Sequence, residues 1–255
     1  MTNKQRTDLI ERHLLEHKYA DLRTLADRYG ASLSTVRRAL DSLESRGLVR
    51  RHHGGASLID TDALSQEHDF LSRIQKQADQ KFAIASLIAD QVEPGKTVIL
   101  DGGTTTYAVA RLLVDKRVQV ITNSLPVASL FGEVGNVETM VTGGSILGRL
   151  GILVGPQCEA TLEQVHADLA ILGGTGITES GVWNHNALVI AAQRKMIAAA
   201  ERAVFALDAT KFGRKALSLT APFGPRICVV TDTRPAPQVV CAIETAGGRL
   251  TLANK

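Results

Sequence analysis

Residues 34–59 read STVRRALDSLESRGLVRRHHGGASLI. Five arginines and two adjacent histidines are threaded by leucines and valines, with a Gly-Gly pair near the end. At ~100° per residue, Val36, Leu40 and Leu43 share one helical face, the one that enters a core. Ser34 and Arg38 then point away from it, with Thr35 and Arg37 on the flanks. Two hydroxyls and two guanidiniums on the first turns of a helix suit base edges and phosphates in a DNA major groove. Ser32 or Ser34 is placed to cap the helix start, and Gly47 to stop it. The following LVRRHHGGASLI reads as two short strands around Gly54-Gly55, a hairpin. A hairpin after a recognition helix is a wing, and Arg50, Arg51, His52 and His53 lie along it.

Two further helical patterns precede this stretch. KQRTDLIERHLLEH sets Ile10 and Leu14 at i, i+4. ADLRTLADRYG sets Leu22, Leu25, Ala26 and Tyr29 on one stripe, stopped by Gly30. Only Gly30, Ala31 and Ser32 join the second helix to the third, the spacing of a helix-turn-helix.

Charge supports a polyanion-binding module at this end. The first 60 residues carry eleven Lys+Arg against eight Asp+Glu, while the remaining 195 carry eighteen of each. The whole net charge of +3 therefore sits in the N-terminal quarter. With 255 residues and 44% hydrophobic composition, the chain is long and apolar enough for two domains of unequal size. No apolar run reaches the length of a membrane span, and the first residues are too charged for a secretory signal. A cytoplasmic location is expected. Cys158, Cys228 and Cys241 are widely spaced among apolar neighbours and are expected to be buried small hydrophobes. The seven histidines show no metal-ligand spacing, so no metal is expected; no cofactor is expected either.

The expected organisation is a DNA-binding domain over 1–58, a coupling segment over 59–80 and a larger domain over 81–255. In the coupling segment, Phe70, Leu71 and Ile74 suggest docking. From residue 81, helical and strand patterns alternate, which means an α/β domain with a mostly parallel sheet. Ligands in such sheets bind at the carboxyl ends of strands, so the strand ends carry the candidate site. ILDGGTTTYA contributes Asp101, Gly102, Gly103, Thr104, Thr105 and Thr106. The glycines turn the chain sharply. The amides of Thr105, Thr106 and Tyr107, the hydroxyls and the helix dipole then make an anion seat. The Walker A pattern is absent. ITNSLP contributes Asn123 and Ser124 as partners for sugar hydroxyls, VTGGS contributes Gly143 and Gly144, ILGGTG contributes Gly173, and DATKFGR contributes Lys211, which can reach an anion. Together these read as a site for a phosphorylated sugar.

These stretches resemble the DeoR-type bacterial transcription regulators over nearly the whole chain. STVRRALDSLESRGLVRRHHGGAS resembles that family's winged-helix signature. ILDGGTTT, VITNSLPVA, VTGG, Gly155-Pro156, GITESG and DATKFGR fall in its order and spacing. The resemblance implies a sensor domain with the fold of sugar-phosphate isomerases, a phosphorylated-sugar effector, and a repressor of a carbohydrate operon that is dimeric or tetrameric. Activation, sensing of an unphosphorylated sugar acid, and an isomerase fused to a DNA anchor are the alternatives. The chain departs from the family pattern at three places. Ala39 replaces the usual Asp after the two arginines. Thr175 replaces an acid where related isomerases carry a catalytic carboxylate, which argues against enzymatic activity. Ala187, Leu188 and Val189 replace acidic residues at a helix start.

Overall fold

The computed structural model describes residues 3–17, 19–45, 49–52, 54–58, 70–135 and 137–253. The chain divides into two compact units, residues 1–68 and 69–255.

The first unit is a winged helix-turn-helix. Helix α1 spans Asn3–His17, α2 Leu22–Arg28 and α3 Leu33–Ser45. Ile10, Leu14, Leu25, Val36, Leu40 and Leu43 are fully buried in one cluster, which also takes Ala39. The second helix starts later than its pattern predicts, because Tyr19–Asp21 forms a strand, β1. Asp21 ends that strand and caps α2, accepting from the Thr24 amide (2.8 Å) and hydroxyl (2.6 Å). Gly30 takes φ +55° in the turn, and the Ala31 amide bonds back to the Ala26 carbonyl. The wing strands are β2 (Val49–His52) and β3 (Gly55–Leu58), antiparallel, with β1 on the far side of β3. That third strand explains Gly55. A Cβ there would stand 2.4 Å from the Ala20 carbonyl oxygen, whereas Gly54 faces open space. The helix stop assigned to Gly47 lies outside the described residues.

The second unit opens with two helices, α4 (Phe70–Ile74) and α5 (Ala78–Asp90). There follow β4 (Thr97–Leu100), α6 (Thr104–Leu113), β5 (Gln119–Thr122), α7 (Leu125–Val134) and β6 (Glu138–Val141). A hairpin, β7 (Ser145–Leu147) and β8 (Ile152–Val154), leads into α8 (Pro156–Glu163) and β9 (Ala167–Leu172). Next come β10 (Gly176–Thr178), β11 (Gly181–Asn184), α9 (Ala187–Ala198) and β12 (Ala200–Ala206). The chain finishes with β13 (Ser218–Ala221), β14 (Ile227–Thr231), α10 (Pro237–Thr245) and β15 (Arg249–Leu252).

Seven strands form one parallel sheet in the order β15-β14-β12-β9-β4-β5-β6. Its central strands are apolar on both faces, as a sheet covered on both sides requires. Val98, Leu100, Leu169, Ile171 and Val204 pack with α5, α6 and α7. Ile99, Ala170, Leu172, Ala203 and Phe205 pack with α8, α9 and α10. The chain runs outward from β4 through β5 to β6, then returns to β9 beside β4 and runs outward the other way. The order reverses between β4 and β9, the place at which sheets of this kind bind ligands in a crevice at the carboxyl ends.

Cys158 and Cys228 are buried as expected, and burial pushes both thiols up. Cys241 departs from the expectation: it is exposed on α10. Among the described residues no helix is long and apolar enough to cross a membrane, and no group of side chains could hold a metal ion.

Candidate functional site

The first candidate surface is the start of α3. Ser34, Arg37 and Arg38 are exposed and Thr35 is half-buried, while the Val36/Leu40/Leu43 face is buried. Ser32 organises this turn. Its Oγ accepts from the Thr35 amide (3.2 Å) and lies 2.9 Å from the Ser34 Oγ and 2.8 Å from the Thr35 Oγ1. The hydroxyls are thus held together on the helix end beside both arginines. Arg51, expected on the wing as a nucleic-acid contact, pairs with Asp41 of α3, and its amide donates to Glu44 Oε1 (3.1 Å). It ties β2 to the recognition helix. The side chains of Arg50 and His52, and all of His53, lie outside the described residues. Ala39, in place of the family's acid, is a core residue here.

The second candidate surface is the crevice between β4 and β9. Asp101, at the end of β4, is 2% exposed. Its Oδ2 accepts from Gln193 Nε2 (2.6 Å) and the Gly173 amide (3.3 Å), so it bridges the two strand ends. Its Oδ1 is buried with no hydrogen-bond partner. Burial raises the Asp101 pKa above the usual carboxylate range, against the pull of Gln193 and the Gly102 and Gly173 amides. Gln193, on α9, also donates to the Gly173 carbonyl (3.0 Å). Sequence reading missed this glutamine, since a polar residue within an apolar helix carries no periodic signal.

The helix start at residues 104–106 follows Asp101 directly. Thr104 and Thr105 are buried, and Thr106 is wholly so. The Thr106 hydroxyl is spent on the turn: it accepts from the Gly103 amide (2.8 Å) and contacts the Asp101 and Gly103 carbonyls at 2.7 Å. The Tyr107 amide, expected in the anion seat, instead donates to the Gly103 carbonyl (2.8 Å). The first-turn amides that remain for a ligand are those of Thr104, Thr105 and Thr106.

Asn123 and Ser124 do structural work at the end of β5. Asn123 Nδ2 donates to the Leu153 carbonyl (3.0 Å), and the Leu153 amide returns a bond to the Asn123 carbonyl (2.7 Å). Asn123 Oδ1 is buried without a partner. Ser124 caps α7, accepting from the Val127 amide at 3.4 Å. These bonds dock the β7–β8 hairpin on the strand ends, with Ile152 against Gly102: a Cβ on Gly102 would lie 1.8 Å from the Ile152 Cγ2. Gly143 and Gly144 turn the chain into that hairpin at φ +71° and +117°, and Gly144 passes close to the Val154 carbonyl. Thr175 gives both its amide (3.0 Å) and hydroxyl (3.1 Å) to the Trp183 carbonyl. Val189 packs with Ile152 and Val154, which accounts for an apolar residue where the family is acidic. Lys211 follows Asp208 beyond the end of β12, half-buried.

A carboxyl group this buried makes stability depend on pH. The folded state holds the Asp101 proton more tightly than the unfolded chain, whose Asp titrates at ~3.9. The stability that proton supports is present at low pH and is lost as pH rises from there through the raised folded value. Asp101→Asn keeps an acceptor for Gln193 and removes the charge. It should therefore stabilise the protein at pH 8 by on the order of 1 kcal/mol, with the gain shrinking towards pH 4. Urea melts at the two pH values measure this, and a gain independent of pH would contradict it.

Two family models match the chain. The DeoR-like helix-turn-helix domain matches residues 6–62, and the DeoR C terminal sensor domain matches residues 76–233. An aga operon transcriptional repressor of Escherichia coli O157:H7 is 34% identical over 219 residues, 85% of this chain and 81% of that protein. The glycerol-3-phosphate regulon repressor of Escherichia coli (strain K12) is 30% identical over 245 residues, 94% of this chain and 95% of that protein. Among solved structures, ribose 5-phosphate isomerase A from Methanocaldococcus jannaschii aligns at 16% identity with a TM-score of 0.40, over 54% of this chain and 55% of that one.

Proposed function

The chain belongs to the DeoR family of DNA-binding transcriptional regulators, and from that premise we propose that it represses a carbohydrate catabolic operon and is released by a phosphorylated sugar. It is a regulator rather than an enzyme. In this reading Arg37, Arg38, Ser34 and Thr35 meet operator bases from α3, while wing cations meet the backbone. The effector occupies the β4/β9 crevice, its anionic group near the start of α6 and Lys211. The protein acts in the cytoplasm as a homodimer or homotetramer, and the segment over 59–80 couples effector to operator.

One observation carries the effector reading. At the switch point of the sheet, a buried Asp101 oxygen without a hydrogen-bond partner lies just ahead of a ten-residue helix, whose first-turn amides have no partner within the helix itself. A hydroxyl donor and an anion together are what a sugar phosphate presents. The repressor named for glycerol 3-phosphate supports a phosphorylated effector by likeness.

The test is to titrate a panel of sugar phosphates into the protein–operator complex. One of them should release the operator, and its unphosphorylated sugar should not. Lys211→Ala should need roughly ten to a hundred times more of it, the worth of one charged hydrogen bond. Equal release midpoints would remove Lys211 from the seat, and release by no phosphosugar would remove the effector reading.

A further inference from the structure

Two buried side chains stand next to each other at the carboxyl ends of β4 and β5. The strands keep parallel register up to Leu100 and Thr122, and the Thr122 hydroxyl donates to the Leu100 carbonyl (2.7 Å). Two residues further on, a Cβ on Gly102 would lie 3.8 Å from the Ser124 Cβ. Asp101 and Asn123 fall between these contacts. They are therefore neighbours across a strand pair, where strands run ~4.8 Å apart. Both continue the face of Ile99 and Ile121, which α8, α9 and α10 cover. Both residues are buried, and Oδ1 of each has no hydrogen-bond partner among the described residues.

The other end of each side chain is committed, which fixes what these two oxygens offer. Gln193 Nε2 and the Gly173 amide donate to Asp101 Oδ2. The Gln193 amide cannot be turned round, because its Nε2 also serves the Gly173 carbonyl and its Oε1 accepts from Asn184 Nδ2 (3.3 Å). Asn123 Nδ2 faces the Leu153 carbonyl, which takes only a donor, so the Asn123 amide is fixed as well. An ionised Asp101 has no hydrogen to give. Two adjacent acceptors result, and neither can satisfy the other. Leaving them unpaired in a buried place is unfavourable, so the site calls for two donor hydrogens.

We propose that Asp101 Oδ1 and Asn123 Oδ1 together accept from two adjacent hydroxyls of the effector, so that the pair selects a phosphate ester carrying a vicinal diol. This rests on the effector reading above and narrows its ligand class. Each strand end presents one acceptor, and neighbouring hydroxyls on a sugar bring one hydrogen each. The start of α6, which follows Asp101, receives the phosphate of the same molecule. An ammonium brings all its hydrogens on one atom and would have to be buried as an ion. Since both oxygens are buried, the diol enters by displacing a neighbour. The β7–β8 hairpin is docked against this strand end, on Asn123 through Leu153 and on Gly102 through Ile152, and it is the element that gives way.

The experiment is calorimetric titration of the full-length protein with phosphate esters that differ only in these donors. Glycerol 3-phosphate carries two adjacent hydroxyls, 3-hydroxypropyl phosphate lacks the middle one, and phosphoethanolamine carries an ammonium instead. Wild type should bind glycerol 3-phosphate about ten- to a hundredfold more tightly than either of the others, because a missing hydroxyl leaves a buried acceptor unpaired. Asp101→Asn should lose that preference. Gln193 still requires an acceptor, so the new amide nitrogen takes the place of Oδ1 and donates to Asn123 Oδ1, which closes the pair within the chain. The wild-type comparison stands even if that variant does not fold. Equal binding of glycerol 3-phosphate and 3-hydroxypropyl phosphate overturns the pair, as does tightest binding of phosphoethanolamine. A preference that survives in Asp101→Asn, or no binding of glycerol 3-phosphate by wild type, overturns it too. Operator release by a phosphosugar would then leave the effector reading standing, whereas release by none would sink that reading separately.

Discussion

Replacing both Arg37 and Arg38 by alanine should lower operator affinity by roughly a thousandfold or more, with the fold unchanged. Both side chains are exposed on α3, off the buried face of Val36, Leu40 and Leu43. Surface changes of this kind shift stability by about 0.5 kcal/mol or less, and alanine favours helix. A lost bidentate base contact costs ~1–3 kcal/mol. In the proposed dimer, two arginines over two half-sites lose at least ~4 kcal/mol, which is about three decades. Salt dependence separates base contacts from phosphate contacts. Each phosphate contact contributes ~0.9 to the slope of log K against log salt. A base-reading pair leaves that slope nearly intact while affinity collapses. Fluorescence anisotropy on operator and scrambled duplexes, at several salt concentrations, measures both quantities. Unchanged operator affinity would dismiss α3 as the recognition helix. Equal loss on both duplexes, with a reduced slope, would make the arginines backbone contacts.

The second large effect is expected at Gly102. Gly102→Val should destabilise the sensor unit by about 3 kcal/mol and abolish the effector response, leaving operator binding near wild type. The clash is with Ile152 Cγ2, 1.8 Å from the position of an added Cβ. Ile152 has no room to retreat. It is 1% exposed and packs with Val154 and Val189, and the backbone on both sides of it is bonded to residues 123–125. The β7–β8 hairpin must lift, or the Asp101–Gly103 turn must shift. Either change disturbs the seat at the start of α6. The winged helix is a separate compact unit and does not share this core. The variant should therefore stay on its operator whatever phosphosugar is added. Thermal melts, with operator release as the second readout, test this. Stability within about 0.5 kcal/mol of wild type would mean the hairpin is not seated on the strand end.

The two glycine pairs show where reading from sequence stops. Gly54-Gly55 is legible as a hairpin turn, because two residues without side chains between β-rich runs have few other uses. The demand on Gly55 comes from Ala20, thirty-five positions earlier, in a strand of three residues. No local pattern announces so short a strand, and its carbonyl sets a constraint that exists only once the sheet has formed. Gly102-Gly103 is likewise legible as a sharp turn before a helix. Its tight packing comes from Ile152, fifty residues later, on a hairpin that the alternation of helices and strands did not reveal.

The sequence by itself determined the elements with strong periodicity and the class of each half. The amphipathic face of α3, its short link to α2 and the excess of arginine specify a DNA reader. Apolar strands alternating with helices specify a covered parallel sheet, whose carboxyl ends hold the candidate site. These signals are local, since hydrophobic spacing and turn chemistry act over a few residues. Tertiary structure decided which of the polar residues at those ends stay available. Ser124 and the Thr106 hydroxyl are consumed by caps, the Asn123 amide nitrogen by the hairpin, and Arg51 by Asp41. Asp101 retains an unpartnered oxygen, held in place by Gln193, ninety-two positions away. A side chain's residue type says which bonds it can make. Which bonds it has left for a ligand depends on neighbours that only the folded chain assembles.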